Sequence, residues 1–590
     1  LYSNTTGTNN TGVGTYALFY NTTASNNTAV GMNSLVANTT GTQNTAVGAL
    51  ALDANTTASL NTAVGYTALG ATTTGGSNTA VGLNSMAANT TGANNTASGQ
   101  QSLASSTTAD SNTAFGYQSL LSNTTGSINT AVGFLSLSKC TTGSSNVAVG
   151  YDTLGELTTA SDNTAVGYAA LQASTSGTGL AAFGKGALRV NTTGSNNTAV
   201  GQNALVANTT ASFNTAIGAT ALDANTTGAQ NTAVGYDALG ANTEGDNNVA
   251  VGLNALENNT TADGNVAVGV DALALNTTGT QNVAVGLGAS DAQTNANNVV
   301  AVGYNANTDA NANQVTAIGS QALANNTEVD NTAVGYAALF TCTSGTPNNA
   351  FGPQSLENLT TGIRNQAFGA NALHDVTTGT SNNAFGHDCY STITSGDYNV
   401  AIGSSNQVNS VDAQSRMTLG FNVTNTTDNS VFIGAGGNFI SNTFTSNATW
   451  SHSSDGRLKE NVNDDTLGLS FINDLRPVTY NWKKQKDVDE ELRDTFEKDT
   501  ENLQHGMIAQ DVKAALDKAG VDTFAGWSVD SDKGIEQISE EMFVFPLIKA
   551  VQELSKEIEE LKKDSHKPKG LKDMDGYDEL MAEIKNLKGE

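Results

Sequence analysis

The sequence predicts a mainly β protein: a parallel β-roll or β-solenoid shaft of about 17-residue coils, homotrimeric, followed by a small α+β domain that ends in a coiled-coil helix. Three observations lead there. The pentad Asn61-Thr62-Ala63-Val64-Gly65, or a close copy, recurs 26 times between Gly14 and Gly434, and its closing glycine advances in unbroken steps of 17 as far as Gly303. The residue before that glycine is apolar in 25 of the 26 copies, Ser98 being the exception. Charge then divides the chain, because residues 1–450 carry 5 Lys+Arg and 22 Asp+Glu whereas residues 451–590 carry 20 and 32. A period this short describes stacked coils sharing one core, and the charged tail reads as a separate unit. The expected divisions are a shaft over 1–434, a connector over 435–452, an α+β domain over 453–541 and C-terminal coiled-coil helices over 542–590.

Within one coil, Asn61 to Ser77, the spacing predicts a short strand through Thr62, Ala63 and Val64, a glycine bend at Gly65, a second short strand ending at Leu69, and a polar turn. The turn is usually Asn-Thr-Thr-Gly or a relative, as at Asn38 to Gly41, and Gly and Asn take positive φ at least steric cost. A helix would carry Thr, Asn and Gly through every turn with no apolar stripe at spacing three and four. In a solenoid, residues one period apart lie above one another. Val47, Val64 and Val81 are therefore expected to form a mutually burying column, and Asn44, Asn61 and Asn78 an amide ladder. Seventeen residues with one valine and one leucine enclose little volume, so the recurrent alanine is expected to mark the close approach of identical chains around a threefold axis. Twenty-six coils at ~4.8 Å each give a rod on the order of 120 Å long, whose open ends need capping.

This Asn-Thr-Ala-Val-Gly pattern resembles the left-handed parallel β-roll heads of trimeric autotransporter adhesins and the shafts of bacteriophage tail fibres. The resemblance covers roughly Asn10 to Gly434. It implies the architecture and leaves the ligand open. The coil is longer than that common in adhesin heads, and the sequence shows no membrane-anchor barrel after the roll, which favours the fibre over the surface adhesin.

Other features of the shaft have plain readings. The Asn-x-Thr triplets fit turn chemistry as well as glycan acceptors, and Lys139, Arg189, Asp237 and Glu257 interrupt any flat threonine face of the ice-binding kind. His387, Asp388 and Cys389 invite a metal site, but neighbours on a strand point to opposite faces, so a loop is expected and no metal or other cofactor. Cys140 and Cys342 share a repeat position twelve coils apart, roughly 58 Å at ~4.8 Å per coil, and Cys389 lies in another register, so no disulfide framework follows. Both regions are acidic and the chain carries a net charge of −29, which disfavours nucleic acid and anionic membrane surfaces as partners. There is no run of 18 apolar residues and no basic start before an apolar core, so neither membrane insertion nor a signal peptide is expected. The chain opens on Leu1, and an upstream virion attachment segment is expected before it.

In the tail, four segments follow in order: Ser454-Asp455-Gly456-Arg457-Leu458-Lys459-Glu460-Asn461-Val462, then Leu475 to Trp482, then Gly506-Met507-Ile508-Ala509-Gln510-Asp511-Val512, and a helix from Met542 to Leu561. They resemble the intramolecular chaperone domain of endosialidase-type tailspikes and related phage fibres, a family of self-cleaving serine peptidases. The resemblance implies a Ser454 nucleophile, a Lys459 general base and a cut at the Ser454-Asp455 bond. A serine hydroxyl needs a base, and a lysine serves only when its neutral form is favoured. Five residues apart on a helix the two would point roughly 140° away from each other, so the pair must sit on a turn, which Gly456 permits. His452 is nearby as an alternative base, but a lone histidine in a polar linker is more often solvated, and His505, just before the Gly506 motif, is given a supporting role and no more. Val544, Val551 and Ile558 alternate with Leu547, Leu554 and Leu561 as a coiled-coil seam. Such a seam alone favours a dimer, whereas the roll and the resemblance favour a trimer. A second short seam, Tyr577, Leu580, Ile584 and Leu587, follows a basic linker from Lys567 to Lys572.

Together these readings describe a trimeric tail-fibre shaft, extracellular on a virion, that engages a cell-surface glycan or protein receptor. Its chaperone aligns three chains and then releases itself in a single turnover. With near-identical repeats, a slip of one period keeps almost every contact, so register needs an outside template. The alternatives are a bacterial surface adhesin with the same roll and a polysaccharide-degrading tailspike. The latter needs a carboxylate pair that the shaft does not present, and no action on an external substrate is expected.

Overall fold

The computed structural model describes residues 1–308, 311–444, 451–452, 454–492, 501–530, 533–565 and 576–589. The chain divides into two compact units, Leu1–Ser453 and Ser454–Glu590.

The first unit is a parallel solenoid. Twenty-four three-residue strands, β1 (Thr11–Val13) through β24 (Val400–Ile402), pair each with the next in one sheet, Thr on Thr and Ala on Ala, as Thr45↔Thr62 and Ala46↔Ala63 illustrate. Register survives the two 16-residue steps, since Val300↔Thr316 and Thr316↔Thr332 still pair, so each missing residue is taken up outside the strands.

Each coil holds one strand, where two were expected. After Val64, Gly65 bends the chain at φ +137°, and a Cβ there would stand 2.3 Å from the carbonyl oxygen of Gly82 in the next coil. Only glycine fits so close an approach. From Tyr66 to Ala71 the backbone runs through turns, with Thr67 and Leu69 at φ +54° and +53°. This path still satisfies its backbone between coils: Thr67 N–H donates to Ala49 O at 3.1 Å and Leu69 N–H to Ser85 O at 3.1 Å. Left-handed leucine costs on the order of 1 kcal/mol, offset here by complete burial of its side chain.

The inner and outer faces are the reverse of the sequence expectation. Ala46, Ala63 and Ala80 are fully buried inside the coil with Leu52 and Leu69, whereas Val47, Val64 and Val81 point outward and stay more than a third exposed. Strand alternation explains this, because Asn61 and Ala63 share one side of the strand and Thr62 and Val64 the other. Small alanine is required because the coil itself is thin. The valine column and the residues that follow the glycine, among them Tyr66, Leu83 and Tyr117, form an uncovered apolar stripe. Within it Tyr117, Phe134, Tyr151 and Tyr168 stack ring on ring at 5.1 to 5.3 Å, and Phe351, Phe368 and Phe385 at 4.8 and 4.9 Å.

The buried asparagines form two columns. In the expected one, Asn44 Oδ1 accepts from the backbone N–H of Asn61 at 3.0 Å, and Asn61 Nδ2 donates to Gly75 O at 3.0 Å, so the side chains bridge coils through backbone. Over part of this column the amides also bond directly, as Asn95 Nδ2 to Asn78 Oδ1 at 3.2 Å and Asn399 Nδ2 to Asn382 Oδ1 at 2.8 Å, and direct amide-to-amide bonding recurs in a second column, from the Asn-Thr-Thr turn. There Asn191, Asn208, Asn225, Asn242, Asn259 and Asn276 are linked at 2.8 to 3.0 Å. Cys140 and Cys342 stand in this column and are buried free thiols, as is Cys389.

The solenoid closes at β25 (Gln407–Val408), β26 (Arg416–Phe421), β27 (Thr424–Asn425) and β28 (Ser430–Ala435). Arg416 takes the asparagine position one coil beyond Asn399, whose Oδ1 receives its N–H at 3.0 Å. Its buried guanidinium bonds Asp428 Oδ1 at 2.7 Å, Asn409 Oδ1 at 2.7 Å and Asn425 O at 2.8 Å. The segment read as a connector continues the sheet: β29 (Asn438–Thr443) turns back antiparallel on β28, and β30 (Ser451–His452) pairs with β29. This hairpin replaces the parallel stacking edge with a different strand direction. Residues 445–450 and the side chain of His452 lie outside the described residues.

The second unit is α+β. Helix α1 (Leu469–Asp474) packs on α3 (Val544–Ser565), and α2 (Ala509–Ala519) lies against β33 (Trp527–Val529) and β34 (Glu536–Ile538). The hairpin partners are β31 (Val478–Tyr480) with β32 (Gln504–Gly506), and β33 with β34. Leu467, Phe471, Val512, Ala515, Leu516 and Phe543 form the core. Glu553 on α3 caps α1, its Oε2 accepting the N–H of Leu469 at 2.7 Å. The last helix is α4 (Tyr577–Leu587); the basic linker 567–572 lies outside the described residues.

Candidate active site

The second unit begins with a short structured turn. Asp455, at φ −67° and ψ +127°, caps a single 3-10 turn over Gly456–Leu458, and its carboxylate accepts the N–H of Arg457 at 2.9 Å. The Arg457 guanidinium returns to the same carboxylate, Nη2 to Oδ2 at 2.6 Å and Nε to both oxygens at 3.1 Å. These bonds hold the Asp455 carboxyl below the ordinary carboxylate range, the Arg457 side chain contributing most. The turn ends at Lys459, whose N–H donates to Gly456 O at 3.3 Å and whose backbone is extended.

This turn brings the sequence-selected pair together. Lys459 Nζ lies 2.7 Å from Ser454 Oγ, hydrogen-bond distance for a base and the hydroxyl it would deprotonate. Because the chain reverses at Gly456, residues five apart meet, as they would not on an α-helix. Residues 454–466 are all exposed in the single chain. The sequence marks Asp455 only as one side of the bond to be cut, and neither its capping role nor Arg457 is read from it; the signal is an N-capping Asp two residues before an Arg.

Other positions fall apart. His505 is exposed on β32 and bonds across to β31 through its backbone. His387 is exposed and pairs with Asp388 at 3.0 Å, while Cys389 is buried in the solenoid core, so the three face different ways. Among the described residues no helix is long and apolar enough to cross a membrane. The seam of α3 is present as a stripe: Val544, Leu547, Val551, Leu554, Ile558 and Leu561 are between 44% and 69% exposed.

Residues 454–521 match the family model described as the chaperone of endosialidase. The match starts at Ser454, takes in the capped turn, α1, β31, β32 and α2, and ends just after the C-cap of α2. No curated protein and no solved structure matches the chain. The chain thus joins a long parallel β-solenoid to a segment that matches the chaperone of endosialidase, an arrangement consistent with a tail-fibre-type protein.

Proposed function

We propose that the protein is a trimeric fibre whose C-terminal domain brings three shafts into register and then cuts itself away between Ser454 and Asp455. The observation that carries this is the 2.7 Å contact of Lys459 with Ser454 at the first residue of the chaperone match and of the second compact unit. A cut there removes one folding unit whole and leaves the other whole.

The shaft supports the trimer independently. Fully burying a valine is worth about 1.5–3 kcal/mol, so covering the exposed third of Val64 and its equivalents gains ~0.5–1 kcal/mol per coil. Over twenty-four strands this sums to on the order of 15 kcal/mol per chain before ordering costs. An apolar stripe of that length exceeds what soluble monomers ordinarily leave uncovered. Three such stripes meeting on an axis bury one another, and the exposed seam of α3 meets its copies in the same way. A one-coil slip keeps most contacts between near-identical repeats, which is why a separately folded aligning domain is useful and can be discarded once a high unfolding barrier holds the rod. Receptor engagement, on a cell-surface glycan or protein, is part of the same reading of a tail fibre.

The test is a denaturing gel of purified protein. The wild type yields a shaft fragment ending near Ser454, while Ser454→Ala and Lys459→Ala remain full length. Cutting of both variants at the wild-type rate would remove the dyad from the account.

A further inference from the structure

We infer that each chain's Ser454–Asp455 bond is attacked by the Ser454 of a neighbouring copy, so that self-cleavage runs in trans around the trimer. This rests on the self-cleavage reading above and adds which chain supplies the nucleophile.

Covalent geometry is the first argument. Ser454 Oγ is joined to its own carbonyl carbon through Cβ and Cα alone, so attack on that carbonyl closes a four-membered ring. Planar peptide geometry and tetrahedral Cα and Cβ hold the hydroxyl beside the carbonyl and off the line of approach to it. Attack on the preceding carbonyl closes a five-membered ring, but it breaks the bond before Ser454 and leaves Ser454–Asp455 intact. A hydroxyl from another chain has neither restriction.

The second argument is that the site is incomplete in one chain. Lys459 reaches its own Ser454 at 2.7 Å, so activation is arranged within the chain. Residues 454–466 are nevertheless all exposed, and among the described residues Lys459 is the one side chain bonded to the Ser454 hydroxyl. Acyl transfer needs donors aimed at the developing oxyanion and exclusion of water, and a lysine acts as base only where its neutral form is favoured. A neighbouring copy seated on this segment supplies the covering surface and the carbonyl. The arrangement repeats as a closed head-to-tail ring, each chain cutting the next, which cyclic symmetry permits.

The step balances. Lys459 Nζ takes the Ser454 hydroxyl proton as Oγ bonds to the Ser454 carbonyl carbon of the next chain. The tetrahedral intermediate collapses with loss of the C–N bond to Asp455, and the proton passes from Lys459 to the departing amine. Water hydrolyses the resulting ester and restores the hydroxyl.

Two full-length chains carrying different tags at their first residue, wild type and Ser454→Ala, are co-expressed. Assemblies are captured through the wild-type tag, and the Ser454→Ala chain is sized on a denaturing gel. With equal expression and one attacking neighbour per chain, roughly half or more of the captured Ser454→Ala chains are cut, while Ser454→Ala expressed alone stays intact. The released fragment begins at Asp455 by mass. Intact Ser454→Ala chains beside cut wild-type chains would overturn the inference, as would a fragment beginning at Ser454, which marks the five-membered route. If wild type itself stays whole, the failure lies in the self-cleavage reading, and if no mixed assembly can be captured it lies in the trimer.

Discussion

Asn225 sits in the middle of the longest unbroken amide column, and replacing it with alanine tests how far that column holds the shaft together. Its Nδ2 donates to Asn208 Oδ1 at 3.0 Å and to Gly228 O at 2.9 Å, and its Oδ1 accepts from Asn242 Nδ2 at 2.9 Å. In Asn225→Ala, Gly228 O keeps the amide of Asn214 at 2.8 Å and Asn242 Nδ2 keeps Gly245 O at 3.1 Å, whereas the buried Asn208 Oδ1 is left bare. Three net hydrogen bonds at about 1 kcal/mol each and one orphaned acceptor at about 1–3 kcal/mol predict a loss of roughly 4–6 kcal/mol at that coil. The converse change is available where the column is already broken. Asn55 Oδ1 is buried without a partner because Thr72 follows it one coil on and offers no amide. Thr72→Asn supplies one and should gain about 1–2 kcal/mol. Stacked coils open locally, so the assay is hydrogen exchange of backbone amides resolved by segment on the full chain. Protection should fall in the coils around Asn225 and rise around Asn55, with remote coils unchanged. Wild-type protection around Asn225 in the alanine variant would refute the reasoning that these amides hold neighbouring coils together.

Three further outcomes follow from the same structure. Val251→Asp, Val268→Asp and Val285→Asp together place charges on the outward stripe without touching the coil interior, so sedimentation should report single chains with the β-sheet circular dichroism spectrum retained; intact trimers would contradict the proposed packing. Burial pushes the Cys140 and Cys342 thiols up from 9.0 to about 11, so at pH 8 a thiol-alkylating reagent should modify them only after denaturation. The sign is that of an acid neutral when folded: above pH 9 the unfolded chain loses these protons first, and stability falls as pH rises toward 11. Glu553→Ala uncaps α1 in the chaperone unit and should cost about 1 kcal/mol in its urea unfolding, with no effect on exchange in the shaft.

Much of this molecule is legible in its sequence because a fixed period turns one coil into a rule for all. Strand position, coil length, the break near Trp450 and the pairing of Ser454 with Lys459 on a turn are each set by local chemistry. What the period does not state is which side of a three-residue strand faces in. Valine is the better core residue by hydrophobicity alone, yet the coil is too thin to hold it, and Ala63 takes the inner place while Val64 turns out. Similarly, a run such as Thr67-Ala68-Leu69 carries strand propensity, and its left-handed turns come from the demand that a short coil close on itself. Arg416 could not be recognised as the end of an asparagine column until the column was seen.

End-on imaging of the Ser454→Ala shaft by electron cryomicroscopy tests the central claim most directly. The expected section is three solenoids related by a threefold axis, with the columns of Val64 and its equivalents facing that axis and Ala63 enclosed within each coil. A solitary solenoid with its valine column open to solvent would contradict the account.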